Sequence, residues 1–300
     1  MDFIPHEFAE SVVGMLHFRE WFPGGDLPII WSEYMRRYIC NRQDYGISVS
    51  KNPANTFQLD IIDDPGYHHH VSLKELLNMD PRYHRIKQFS LKQRMEIDKS
   101  EQISTQDFLN KLLPFVVKQL SESGAYVRLS AINCDPLYSH VLDTFAQLPQ
   151  IRQLSISYKN EKTLSFLGKI LSTNKLSNLT LKKRSWPESA KNVLFDGISS
   201  GHIQKLELIH SNILVNADFC AAAYNGWLSS EGSGKLNIFG KASFDNFIKE
   251  VEYLVDEGIC IDIVENETNP KVCLTVEEWK HKLVMQTQTF SMTCSICTSV

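Results

Sequence analysis

No run in this 300-residue chain approaches the roughly 18–20 consecutive apolar residues that carry a helix across a bilayer, so no membrane span is legible. Motifs of reactive chemistry are missing as well. There is no glycine-rich phosphate loop, no nucleophile elbow and no His-Glu-x-x-His. Catalytic, cofactor-binding and metal-binding residues are therefore expected to be absent, and the chain reads as a non-enzymatic protein. Charge of one sign is not in excess either: 31 Lys and Arg stand against 35 Asp and Glu, a formal net charge of -4. That balance gives no general attraction to nucleic acid or to an anionic membrane. The start, Met1-Asp-Phe-Ile-Pro-His-Glu7, lacks a basic-then-apolar leader. Seven cysteines, an odd number scattered along the chain, read as reduced thiols. A cytoplasmic or nuclear location is the expectation.

What is present is a repeated apolar phrase: Ile151-x-x-Leu154-x-Ile156, Leu176-x-x-Leu179-x-Leu181 and Ile203-x-x-Leu206-x-Leu208. Its central position returns at Leu129, Leu154, Leu179, Leu206, Leu236 and Ile261, at intervals within the roughly 20–50 residues typical of stacked repeats. Weaker copies stand upstream at Ile86-x-x-Phe89-x-Leu91 and at Phe57, Leu59 and Ile61. Each copy alternates like a short strand. Helical spacing fills the gaps: Phe108 to Leu120 after a candidate N-cap at Thr105, Asp135-Pro136 opening a helix through Leu148, and segments near 163–173, 187–199, 217–229 and 244–256. Strands alternating with helices predict an α/β fold with parallel strands, a curved solenoid of degenerate β-α repeats over 43–285. Thr275-Val-Glu-Glu278 reads as a capping box opening a terminal helix, and 286–300 as a disordered tail.

The phrase and its period resemble the leucine-rich repeat. The position that family fills with Asn or Cys holds Arg94, Cys134, Lys159, Arg184, Ser211, Lys241 and Asn266, of which only Cys134 and Asn266 conform. Residues 1–42 read as a separate helical segment, with Phe8, Val12, Val13 and Leu16 on one helix and Trp31 on a second, followed by Arg36 and Arg37. Ile4-Pro5-His6-Glu7-Phe8 and the distance to Trp31 resemble the F-box, although His17 to Asp26 replace its leucine-rich middle. The combination is similar to divergent F-box proteins expanded in nematodes. The resemblance implies a substrate-recognition subunit of a Skp1–cullin–F-box ubiquitin ligase, docking Skp1 through Phe8, Val12, Leu16 and Trp31. A second reading makes the segment a simple cap on an interaction scaffold.

A protein partner is expected on the polar columns between the apolar positions, at Arg128, Gln153, Ser155, Asn178, Thr180, Lys205 and Glu207. Other clusters read blandly. His68-His-His70 with His84 and the acids Asp60, Asp63 and Asp64 is a solvated loop rather than a zinc site, since adjacent strand residues face opposite sides. Cys294-Ser-Ile-Cys297 has no second pair, and Lys182-Lys-Arg184 reads as a solvated basic face, with a phosphate-binding patch as the lesser reading. Trp186 and Trp227 read as packing residues.

Overall fold

The computed structural model describes residues 8, 12, 31–33, 36, 40–52, 56–64, 70–93, 100–123, 125–130, 135–173, 176–183, 185–216, 218–219, 221–222, 225–226, 236–242, 259–264 and 271–276. The chain divides into two compact units, Met1–Tyr126 and Val127–Val300.

In the first unit, β1 (Gln43–Lys51) and β2 (Thr56–Asp64) form an antiparallel hairpin, closed by a hydrogen bond from the Asn52 amide to the Thr56 carbonyl at 2.8 Å. β3 (His84–Lys92) joins the far side of β1 in parallel, and β4 (Glu101–Ser104) pairs antiparallel with β2. Tyr45, Ile47, Val49, Phe57, Leu59, Ile61, Phe89 and Leu91 are buried, as period-two alternation places them on one face. The short helix α1 (Leu73–Asn78) starts at a capping box in which Ser72 and Glu75 satisfy each other's backbone amides. Helix α2 begins at Thr105–Asp107, passes through a π turn at Phe108–Leu112 and continues as Leu113–Ser123. Its N-cap is Ser104, whose hydroxyl accepts from the Asp107 amide, one residue before the expected Thr105.

The second unit follows β5 (Ala125–Leu129) with α3 (Asp135–Phe145), β6 (Ile151–Ser157), α4 (Glu161–Thr173), β7 (Asn178–Lys183), α5 (Ser189–Ser199), β8 (Lys205–Ser211) and β9 (Leu214–Val215), then β10 (Leu236–Ala242), β11 (Ile259–Val264) and β12 (Lys271–Val276). The strand order runs β5-β6-β7-β8-β10-β12-β11, with β9 beside β10. β6, β7, β8 and β10 are mutually parallel, whereas β12 is antiparallel to both β10 and β11. Leu154, Ile156, Leu179, Leu181, Leu206 and Leu208 point into a core completed by Val141, Phe145, Leu167, Ile170, Leu194 and Ile198 from the helices.

This arrangement corrects the expected fold. An array of parallel β-α repeats requires every strand to follow a crossover, but both units hold mixed sheets. β1, unread in the sequence, separates the strands around Leu59 and Phe89 and runs antiparallel to the first of them. β12 takes Thr275 and Val276, where the terminal helix was expected to open, and the rest of that helix lies outside the described residues; Val272, Leu274 and Val276 alternate with period two and pair with β10 and β11. Strand direction is fixed by these pairings and not by the local phrase. The segments 244–256 and 286–300 lie outside the described residues.

One buried group gives the second unit a pH signature. Tyr138 of α3 is fully buried, and its hydroxyl donates to the Ser157 carbonyl at 3.4 Å. Burial pushes its phenol up to about 12, with a hydrogen bond involving Thr163 pulling weakly the other way. In the unfolded chain the phenol ionises near 10, so the folded state is favoured below that pH and loses on the order of 2 kcal/mol as pH rises through 10 toward 12. Tyr138→Phe should flatten that slope. Urea midpoints of both chains between pH 8 and pH 12 measure it; equal slopes would refute the assignment to Tyr138.

Candidate functional site

The polar face of the second unit's sheet is built by side chains that alternate with the core positions. Register places Gln153, Asn178, Lys205 and Asn237 in one row, and Ser155, Thr180, Glu207 and Phe239 in the next. A third row holds Ser157, Lys182 and His210. Between the second and third rows β8 carries one residue more than β7, a bulge that shifts its partner of Lys182 to His210. Such a bulge bends the strand and re-aims the side chains beside it.

Four features fix the geometry around Lys182. Its carbonyl accepts a hydrogen bond from the Trp186 indole at 2.9 Å. Trp186 is buried and tilted against Tyr158, with ring centroids 5.4 Å apart. The Asn212 amide then bonds both backbone groups of Trp186, accepting from its N–H and donating to its carbonyl, each at 2.9 Å. Finally, Lys183 turns the chain with φ 71°, a left-handed conformation that costs a side-chain-bearing residue on the order of 1 kcal/mol and that the Trp186 anchor holds in place.

The charges on this face are unevenly matched. Glu207 accepts from the Thr180 hydroxyl at 2.9 Å and from the Lys205 ammonium at 2.6 Å. Burial raises the Glu207 carboxyl, but those two hydrogen bonds outweigh it and hold the group below its ordinary range. Lys205 also lies 5.3 Å from the centre of the Phe239 ring. Lys182 has no such pairing: among the described residues its ammonium makes no ion pair. Burial lowers its proton affinity, the Arg128 guanidinium lowers it further, and Glu207 opposes only in part. Between the strands of Arg128 and Lys182 lie Ser155 and Ser157, only 2% and 3% exposed although they sit on the polar face. Ser155 Oγ is buried and has no hydrogen-bond partner among the described residues. A buried hydroxyl left unsatisfied costs about 1–3 kcal/mol, which an incoming acceptor recovers.

Of the residues singled out in the sequence, Gln153, Ser155, Asn178, Thr180, Lys205 and Glu207 are neighbours in these rows, and half-buried Arg128 projects from the adjoining strand. Phe8 is 57% exposed, Val12 and Trp31 are half-buried, and Leu16 lies outside the described residues. Lys182, which the sequence offers only as part of a basic triplet, stands in the third row. The signal that finds it is the same period-two alternation continued one step past Thr180. The histidine cluster contributes one contact, His70 Nδ1 to the buried Asp60 carboxylate at 3.1 Å, while His84 approaches the Asp80 carbonyl. No group of three metal-ligating side chains occurs among the described residues. A cleft of about 500 Å3 lies at the start of α5, but Lys191 there is paired with Glu188, and Asn216 with Asp218.

No family model matches this chain, and no curated protein does. Among solved structures the chain is similar to the protein-(glutamine-N5) methyltransferase (release factor-specific) of Alicyclobacillus acidocaldarius, at 10% identity over 56% of this chain and 90% of that one, with a TM-score of 0.23. The reading of the chain as a non-enzymatic substrate-recognition subunit of a ubiquitin ligase, or as a repeat scaffold free of one, does not stand. The parallel repeat array on which it rested is replaced by two mixed sheets. The expectation that the chain is not an enzyme, drawn from the missing reactive motifs and from the repeat array, is withdrawn as well. No helix among the described residues is long and apolar enough to cross a membrane.

Proposed function

We propose that the protein binds an anionic ligand, through a carboxylate or phosphate group, on the polar sheet face where Lys182, Arg128 and Ser155 lie. The observation that supports this reading is the ammonium of Lys182, half-buried, crowded by a second cation and without an ion pair among the described residues. Glu207 does not fill the gap, because Thr180 and Lys205 already engage its carboxylate. An anion seated there would relieve the repulsion between Lys182 and Arg128. The buried Ser155 hydroxyl supplies a short, directional donor beside them.

Calorimetric titration with inorganic phosphate and with citrate tests the proposal and separates the two chemistries. Saturable binding of one of them is expected, weakened about tenfold by Lys182→Met, the loss of one charge-assisted hydrogen bond. Lys74→Met, on an exposed helical position of the first unit, should leave it unchanged. Affinity should fall as pH rises through the lowered titration range of Lys182, since the ligand selects the protonated form. Absence of saturable binding by either anion, or equal affinity in Lys182→Met, would refute the site.

A further inference from the structure

Resting on that reading, we infer that Lys182 is a nucleophilic amine, placed to form an imine with an aldehyde or ketone that carries an anionic group. An amine adds to a carbonyl only through its free lone pair, so a reactive lysine needs a setting that does not hold the ammonium form. Ordinary surface lysines lie in water or beside a carboxylate, as Lys162 does with Asp143 and Lys111 with Asp107. Lys182 differs on each count. It is half-buried, the Glu207 carboxylate is engaged by Thr180 and Lys205, and Arg128 disfavours a second positive charge.

Geometry adds two supports. The Trp186 indole bonded to its carbonyl, itself locked by Asn212, fixes the backbone from which the side chain projects. Diagonally across the face from Lys182, the buried Ser155 hydroxyl has no hydrogen-bond partner among the described residues. Arg128 would hold the ligand's carboxylate or phosphate, a role that Lys182 shares only in its protonated form, while Nζ attacks as the free amine. The Nζ lone pair forms the new C–N bond as the carbonyl π pair moves to oxygen. The two amine hydrogens then leave with that oxygen as one water, giving a C=N bond with no oxidant or reductant consumed. The class of molecule is thus an oxo acid or a phosphorylated carbonyl compound.

The test uses the unaltered full-length chain. It is incubated at pH 7.5 with 4-carboxybenzaldehyde or with neutral benzaldehyde, reduced with cyanoborohydride, and each lysine's labelling is quantified by peptide mass spectrometry. Lys182 should label at least about fivefold faster than exposed Lys74, and faster with the carboxylated aldehyde than with the neutral one. Arg128→Met should abolish the preference between aldehydes and also slow labelling by benzaldehyde, because the guanidinium no longer disfavours the ammonium form of Lys182. Labelling of Lys182 no faster than Lys74 by either reagent would overturn the inference even if phosphate binds in calorimetry. Fast but equal labelling by the two aldehydes would overturn its anionic half, and together with absent phosphate binding would locate the failure in the anion site rather than in the amine.

Discussion

Replacing Gly226 by alanine is expected to destabilise the second unit by about 3 kcal/mol and to lower its melting temperature by roughly 10 °C. A Cβ at this position would overlap the carbonyl oxygen of Ile198 and approach the Ser199 Cα at 3.3 Å. Both neighbours are backbone and cannot swing aside like the tip of a long side chain. The Ile198 carbonyl is also committed: at the C-terminus of α5 it accepts from the Gly201 amide at 3.0 Å, and Gly201 turns the chain with φ 73° in the manner of a helix-ending glycine. Moving that carbonyl to admit a methyl group would break the cap as well. Gly168, inside α4, is the matched contrast. A Cβ there meets only Val193 Cγ1 at an ordinary 3.7 Å, so Gly168→Ala should stabilise by about 0.5–1 kcal/mol through helix propensity. Thermal denaturation of the two variants should therefore move in opposite directions, and a shift of the same sign would refute the close approach at Gly226.

Which stretches become strands was legible, because a half-buried strand writes its own period. Leu154 and Ile156, Leu179 and Leu181, and Leu206 and Leu208 alternate in sequence and are buried in the sheet. The same alternation at Tyr45, Ile47 and Val49 marks β1, although it lies outside the repeated phrase. Strand direction was not legible. A period of two is identical for a strand run either way, and only the partner decides it, as β12 shows by entering antiparallel between β10 and β11. The rows of the candidate site follow from register, so residues at equivalent places in successive phrases stand side by side. Register slips at the β8 bulge, and with it the facing of Lys182 and His210, which no spacing rule foretells. The matching of charges was out of reach too. Lys205 and Lys182 look alike in sequence, and only the structure shows one spent on Glu207 and the other not.

Truncating Phe108 to alanine should cost the first unit about 3–5 kcal/mol, the range for emptying a fully buried aromatic site. Phe108 opens the π turn of α2, is wholly buried, and stacks on Phe57 of β2 with ring centroids 4.6 Å apart at 22°. The wider turn, in which the Leu113 amide reaches back to the Phe108 carbonyl, shifts the helix face by one residue. Phe108 and Leu112 share the buried face with Leu113, Val116 and Leu120. The ring pair ties that face to the strand paired with β4. A cycle with Phe57→Leu separates stacking from simple burial: the two single losses should exceed the double loss by about 0.5–1.5 kcal/mol. Urea denaturation supplies the energies, and amide exchange at Phe57 to Leu59 reports whether β2 itself loosens. Strict additivity would mean the rings only fill space, whereas a small loss in Phe108→Ala alone would mean the site collapses and that the π turn relaxes to an ordinary helix when its aromatic is gone.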